Sequence, residues 1–227
     1  MDIFQHAALR DLPTFTGLHV DESALPGITD EAYEASNLMA RQGYFEGTMP
    51  AGFRVAESSR VTFNREGHSS SPKANEMVIL VDPQSDPVLQ LIAQDVDTRF
   101  AAFDGAEFAE LITAYSRLLL EPAADLPVRD WESLWWHYCL RNRSQLVRLG
   151  WLVKNRIGPC LPMAMLAKFA SDRRGFRLIL AQGCYLDDFA EPHAWTVRET
   201  GAKLLAYDPA RLKFGVEMDG LYEVDQM

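Results

Sequence analysis

Three residues in the second half of the chain have the side chains that nucleophilic catalysis needs: Cys160, His193 and Asp208. A cysteine thiolate attacks carbonyl carbon, a histidine takes up and returns a proton, and a carboxylate fixes the orientation of the histidine ring. The three can act together only if the elements that carry them bring them within hydrogen-bonding distance. The local sequence predicts what those elements are.

The sequence around Cys160 predicts the start of a helix. A Gly-Pro pair at 158–159 ends one element, and Pro162 is tolerated only near the first turn of a new helix. The buried stripe of this helix would be formed by Leu161, Met165, Leu166 and Phe169. A thiol in the first turn lies at the positive end of the helix dipole, which favours the thiolate, and the thiolate is the nucleophile.

His193 and Asp208 are predicted to face each other across a β-hairpin. The almost wholly apolar run at 176–181 predicts a central strand, and two further strands follow, joined by a two-residue turn at Thr200-Gly201. This register puts His193 directly opposite Asp208, with Cβ atoms about 4.5–5.5 Å apart. Asp208 can then accept a hydrogen bond from the ring and steady it. On the same face the register pairs Trp195 with Ala206 and Val197 with Leu204.

This order of residues resembles the transglutaminase-like, or papain-like, superfamily of cysteine proteases. The residues that carry the likeness are Cys160, the run His193-Ala194-Trp195 and the pair Asp208-Pro209. Within that superfamily, residues 130–227 look most like the leader peptidase of lasso-peptide biosynthesis, the B protein. The further similar features are Cys160-Leu161-Pro162 before an apolar helix, Gly175 before a strand, Gly183 at its end and the short C-terminal tail.

The resemblance implies an α+β fold in which a helix that opens with the cysteine packs on an antiparallel sheet. It implies that Cys160 is the nucleophile, His193 the base and Asp208 the orienting acid, with neither a cofactor nor a metal ion. The implied substrate is a peptide, such as the leader of a ribosomally made, lasso-type precursor. The implied partners are the other enzymes of that biosynthesis.

The first part of the chain is predicted to be an α/β extension to this catalytic unit. The segment 121–130 has two prolines and no apolar periodicity, so we expect it to separate an N-terminal region at 1–125 from a catalytic domain at 126–227. Patterns of apolar residues predict helices at 30–42, over 87–120 with a break at Asp104-Gly105, and over 131–155, and strands at 53–64 and 77–81. The N-terminal region either binds a leader or partner peptide as an added strand or only completes the core.

Composition limits the partners that we expect. A formal net charge of −10 without a basic patch argues against nucleic acid, and it disfavours docking on an anionic membrane. No apolar run is long enough to span a bilayer, and the first residues lack the pattern of a secretory signal. The three cysteines, Cys139, Cys160 and Cys184, form no CxxC pair, which favours a reducing cytoplasm over a disulfide framework.

The sequence leaves the function and one part of the site open. An acyltransferase that forms amides would use the same triad and differ only in whether an amine or water resolves the acyl-enzyme. A non-enzymatic binding or immunity protein would carry the three residues by chance. The donors that we weigh for an oxyanion are the backbone N–H of Cys160 and the side-chain amides of Asn155 and Gln182.

Overall fold

The structure is a computed structural model, and it describes residues 2–21, 26–57, 61–67, 77–121, 146–186 and 191–224. Over these ranges the fold is α+β, with five α-helices and two β-sheets, so the predicted fold class is confirmed at this level. Two 3₁₀ turns, Ile3–Gln5 and Ala7–Leu9, precede the first helix.

The helices begin and end largely where local signals predict. They are α1 (Asp30–Gln42), α2 (Pro87–Arg99), α3 (Gly105–Leu120), α4 (Leu149–Asn155) and α5 (Cys160–Arg173). The Thr29 hydroxyl accepts a hydrogen bond from the N–H of Ala32 at 3.1 Å, which caps α1. The Asp86 carboxylate caps α2 in the same way. The predicted helix at 30–42 and the predicted break at Asp104-Gly105 are confirmed.

The strands form one large and one small sheet. The large sheet contains β1 (Tyr44–Phe45), β5 (Ile179–Tyr185), β6 (Glu191–Thr200), β7 (Lys203–Asp208), β8 (Lys213–Glu217) and β9 (Tyr222–Val224). Its order is β1-β5-β6-β7-β8, with β9 also paired to β5, and its described pairings are antiparallel. The small sheet contains β2 (Phe53–Ala56), β3 (Val78–Val81) and β4 (Leu146–Arg148), in that order. Each sheet therefore combines strands from both halves of the chain.

The hairpin that carries His193 and Asp208 has a different register from the predicted one. Its two-residue turn is Gly201-Ala202, flanked by the pair Thr200–Lys203. Val197 consequently pairs with Ala206, so the predicted pairings of His193 with Asp208, Trp195 with Ala206 and Val197 with Leu204 are wrong by two residues. Gly201 has a φ of +61°, and glycine thus occupies the first central position of the turn rather than the second. A shift of two residues leaves every side chain on its predicted face.

The predicted helix at 131–155 is wrong where its end is described. Residues 146–148 form β4, and only Leu149–Asn155 is helical. Residues 131–145 lie outside the described ranges, as does the expected boundary at 125, which stays a prediction. β4 forms because it pairs in parallel with β3. Arg148, buried at the end of β4, lies 3.5 Å from Asp82 in an ion pair, a long-range contact that helical periodicity does not reveal.

β5 begins later and ends later than the apolar run at 176–181 indicates. It extends through Gly183 to Tyr185, where β6 and β9 both pair with it. Gly183 therefore lies inside the strand and not at its end. A Cβ atom at this position would collide with the carbonyl oxygen of Glu223 in β9, so the close approach of the two strands requires glycine.

The two faces of the large sheet bury different groups. α3 and α5 pack on one face, in a cluster with Leu180, Ala194 and Tyr207 that continues into the N-terminal half. The other face holds a separate cluster around Trp195 and Tyr222. Because side chains alternate along a strand, His193 and Asp208 belong to the second face.

Candidate functional site

Cys160 is the first residue of α5, as the sequence predicts. Pro159 occupies the N-cap position without a side-chain cap, and the N–H of Met163 bonds to the Pro159 carbonyl at 3.4 Å. Pro162 has no N–H, so the backbone N–H groups of Cys160 and Leu161 are the orphan donors of this helix end. The thiol is partly exposed and lies beside those two donors.

The ring of His193 and the carboxylate of Asp208 are hydrogen-bonded, with 2.6 Å between Nε2 and Oδ2. His193 lies on β6, and Asp208 is the last residue of β7, the neighbouring antiparallel strand. His193 is 8 % exposed and Asp208 is fully buried. The structure thus brings these two predicted site residues together. The side chains meet diagonally along one face and not by direct opposition.

Asp208 accepts three further hydrogen bonds. Its Oδ1 accepts from the backbone N–H groups of Ala210 and Arg211, both at 3.0 Å. Its Oδ2 accepts from the hydroxyl of Tyr222 at 3.0 Å. Burial, and then the adjacent carboxylate, raise the pKa of Tyr222, so the hydroxyl keeps its proton and donates it. Both oxygens of the Asp208 carboxylate therefore accept hydrogen bonds that fix its orientation.

Tyr222 is a site residue that the sequence does not reveal. It lies in the short strand β9 near the end of the described chain, and no spacing rule connects it to Asp208. The pairing of β9 with β5 is what carries the hydroxyl to the carboxylate.

His193 also contacts Cys160. Burial lowers the pKa of His193, but hydrogen bonds with Asp208 and with the Cys160 side chain outweigh it and raise the pKa from 6.5 to about 9. The imidazole therefore carries a proton at neutral pH. Because Nε2 is directed at Asp208, Nδ1 is the ring nitrogen that remains for the sulfur. The first turn of α5 makes this contact, while the body of the helix packs on the other face of the sheet.

Trp195 packs against the ring of His193. It is fully buried, and its ring stacks with that of His193 at 6.2 Å between centroids and an interplanar angle of 15°. The ring of Tyr222 also packs against Trp195, with 4.7 Å between the two ring centroids. The indole Nε1 has no hydrogen-bond partner among the described residues. Trp195 is therefore a packing residue next to the site.

A cavity of about 70 Å³ opens beside the thiol and the imidazole. Its lining comprises Glu57, Met77, Pro159, Cys160, Leu161, Gln182, Pro192, His193 and Ala194. Two of these residues, Glu57 and Met77, belong to the N-terminal half, so that half forms part of the wall. A carbonyl group that entered the cavity would reach Cys160 and His193 together.

Neither side-chain amide that we weighed as an oxyanion donor is available for that purpose. Asn155 does not line the cavity, and its amide nitrogen donates to the carbonyl of Trp151 at 2.8 Å. The amide nitrogen of Gln182 donates to the carbonyls of Ala56 and Glu57. The backbone N–H of Cys160 is thus the candidate that remains.

The other cysteines and possible metal ligands have no comparable arrangement in the described part of the chain. Cys184 is partly exposed on β5, and Cys139 lies outside the described residues. Within the described ranges, no group of three or more His, Cys, Asp or Glu side chains could hold a metal ion. In the same ranges, every helix is too short or too polar to cross a membrane.

Comparisons with known proteins give no relative for this chain: no protein-family model, no curated protein and no solved structure matches it. The geometry of the site is therefore the basis on which a function is inferred.

Proposed function

We propose that this chain is a cysteine peptidase of the papain/transglutaminase-like type. In this proposal Cys160 is the nucleophile, His193 the base and Asp208 the acid that orients it. The observation that carries it is the hydrogen-bonded series from the Asp208 carboxylate through the His193 ring to the Cys160 side chain, beside a cavity. Each member has the environment that its role requires: a buried and fully bonded acid, a ring with a raised pKa, and a thiol at an uncapped helix start.

The first half of the reaction forms an acyl-enzyme. The Cys160 sulfur attacks the carbonyl carbon of a peptide bond as the thiolate, while the His193 ring beside it is protonated. The backbone N–H groups of Cys160 and Leu161 stabilise the negative charge that develops on the carbonyl oxygen. His193 then gives its proton to the leaving amine as the C–N bond breaks, which leaves a thioester on Cys160.

The second half of the reaction releases the acid product. The neutral His193 takes a proton from a water molecule, whose oxygen attacks the thioester carbonyl, and the Cys160 sulfur leaves. Asp208 holds Nε2 of the ring throughout, so Nδ1 keeps facing the sulfur, and the carboxylate stabilises the imidazolium whenever it forms.

The proposed substrate is a peptide, and the narrower proposal is the leader of a ribosomally made, lasso-type precursor. The sequence likeness at Cys160, His193-Ala194-Trp195 and Asp208-Pro209 supports the narrower proposal. The acidic net charge of −10 suits a basic peptide. The N-terminal half contributes to the cavity wall, and its strands β1 and β2 lie at sheet edges in the described pairings, where a peptide strand could add.

The test is the cleavage of a peptide library prepared by tryptic digestion of a cell lysate. Mass spectrometry should detect new termini that share a sequence motif. They should be absent with Cys160→Ala and present with Cys184→Ala, the matched variant at a cysteine outside the cavity. Amide products formed with an added amine, in place of free acids, would identify the acyltransferase alternative. No product of either kind, together with an unreactive Cys160 thiol, would overturn the proposal.

A further inference from the structure

We infer that Gln182 is a specificity-determining residue whose side-chain oxygen, Oε1, accepts the N–H of the substrate residue that supplies the attacked carbonyl. The inference rests on the proposed function and adds the chemical class that the site selects. That class is an acyl group with an N–H donor on the carbon next to the attacked carbonyl, as in a peptide. A substrate that has an ester oxygen in place of this nitrogen, or a nitrogen without a hydrogen, lacks the donor.

Two hydrogen bonds fix the orientation of the Gln182 amide. Its Nε2 donates to the carbonyl of Ala56 at 3.0 Å and to the carbonyl of Glu57 at 3.1 Å. An amide nitrogen has two hydrogens, so both are used. Because an oxygen could not donate to these carbonyls, the amide cannot be turned over, and Oε1 must point away from them.

The oxygen at the other end of this amide is left without a partner. Gln182 is 3 % exposed, and Oε1 has no hydrogen bond among the described residues. A buried acceptor without a donor is unfavourable. Anchoring the carbonyls of Ala56 and Glu57 accounts for the nitrogen of Gln182 but not for its free oxygen. A donor that enters with the substrate accounts for both.

The cavity beside Cys160 is where such a donor would enter. Gln182 and Cys160 both line it. Along β5, Gln182 alternates to the face that α5 covers, which is the face of Leu180. A cavity needs roughly 10–15 Å³ to hold one water molecule. The cavity volume of about 70 Å³ therefore admits a group of several heavy atoms.

Two alkylating probes test the inference without knowledge of the substrate: iodoacetamide and N,N-dimethyl-2-iodoacetamide. With both, the Cys160 thiolate displaces iodide and forms a C–S bond, but only iodoacetamide carries N–H groups. After reaction, the probe nitrogen is as many bonds from the sulfur as the substrate N–H is in an acyl-enzyme. The measured quantity is the ratio of the two alkylation rates at Cys160, divided by the same ratio for free glutathione. The ratio is the rate with iodoacetamide divided by the rate with the dimethyl probe. We expect this ratio at Cys160 of wild type to be about 3- to 10-fold higher than for glutathione, which is the effect of one hydrogen bond.

Two variants separate the oxygen of Gln182 from its nitrogen. Gln182→Met and Gln182→Glu both remove the N–H groups that anchor Ala56 and Glu57, but only the methionine variant removes the oxygen. In Gln182→Met the ratio of the two rates at Cys160 should fall to the value for glutathione. In Gln182→Glu it should stay above that value. An equal fall in both variants would mean an anchoring role alone and would overturn the inference. So would an unchanged ratio in Gln182→Met.

The same measurement keeps the inference distinct from the proposed function. If Cys160 reacts no faster than Cys184 with iodoacetamide, the proposed function fails. If Cys160 is the fast thiol but wild type shows the glutathione ratio, only the role of Gln182 fails. Should Gln182→Met not fold, the ratios at Cys160 and Cys184 in wild type still decide, because Cys184 is not part of the cavity lining. A raised ratio confined to Cys160 supports the inference.

Discussion

Tyr222→Phe tests whether the C-terminal strand holds the acid of the site. The substitution removes one O–H donor from Asp208, at 3.0 Å, and keeps the ring that packs on Trp195. A hydrogen bond to a charged group contributes about 1.5–3 kcal/mol. We therefore expect the free energy of unfolding to fall by about 2 kcal/mol. With one donor fewer, the carboxylate attracts the proton of His193 more strongly, so the pKa of His193 should rise above about 9.

Tyr115→Phe is the matched control for this substitution. Tyr115 is also buried and donates to a carboxylate, that of Asp95, at 2.8 Å, but it lies among the core residues of α3 and not in the site. It should lower the free energy of unfolding by a similar amount and leave the pKa of His193 unchanged. Urea denaturation measures the first quantity, and titration of the His193 ring signal by NMR measures the second. If Tyr222→Phe changes neither quantity, the hydroxyl does not hold Asp208.

Four further outcomes are expected. Iodoacetamide at neutral pH should label Cys160 ahead of Cys139 and Cys184, as mapped by mass spectrometry. Equal labelling of all three, or protection of Cys160, would contradict its role as nucleophile. Cys160→Ala and His193→Ala should abolish peptide cleavage and leave the circular dichroism spectrum unchanged. Asp208→Asn should lower kcat/KM without abolishing cleavage. Full activity of either alanine variant would end the proposal. The pKa of His193 in the folded protein is about 9, above the ordinary value of 6.5. The protonated ring therefore stabilises the fold by about 3 kcal/mol below pH 6.5, and this contribution is lost as pH rises through 9. The stability difference between wild type and His193→Gln should therefore shrink between pH 6 and pH 10 in urea denaturation, and a constant difference would count against the assignment. Gly183→Ala should destabilise the protein, because its methyl group collides with β9, and wild-type stability of this variant would contradict the close approach of the two strands.

Local signals predicted the parts of the structure that a short stretch of chain determines. The Gly-Pro pair at 158–159 and Pro162 restrict the backbone so strongly that the start of α5 follows from them. The two-residue length of the hairpin turn and the alternation along β6 and β7 were also visible from residue types. These elements carry all three predicted site residues, which is why the sequence alone could group Cys160, His193 and Asp208.

Contacts between distant segments determine the features that the sequence did not reveal. β4 is a strand because it lies beside β3, although its residues continue a helical pattern. The orientation of the Gln182 amide depends on the carbonyls of Ala56 and Glu57, which are far away in sequence. No periodicity or spacing within one segment can encode such partners, because each partner is supplied by another part of the fold.

The contact between the His193 and Asp208 side chains survives the error in the predicted register because the error is an even number of residues. An odd displacement would have sent the two side chains to opposite faces of the sheet. The even shift keeps them on the face of Trp195, where the carboxylate reaches the ring diagonally. The remaining donors to Asp208 all come from the chain after β7, through the turn at Ala210 and Arg211 and through β9. The nucleophile and the acid are therefore held by different parts of the fold, α5 for Cys160 and the C-terminal strands for Asp208. His193 is the residue that joins them.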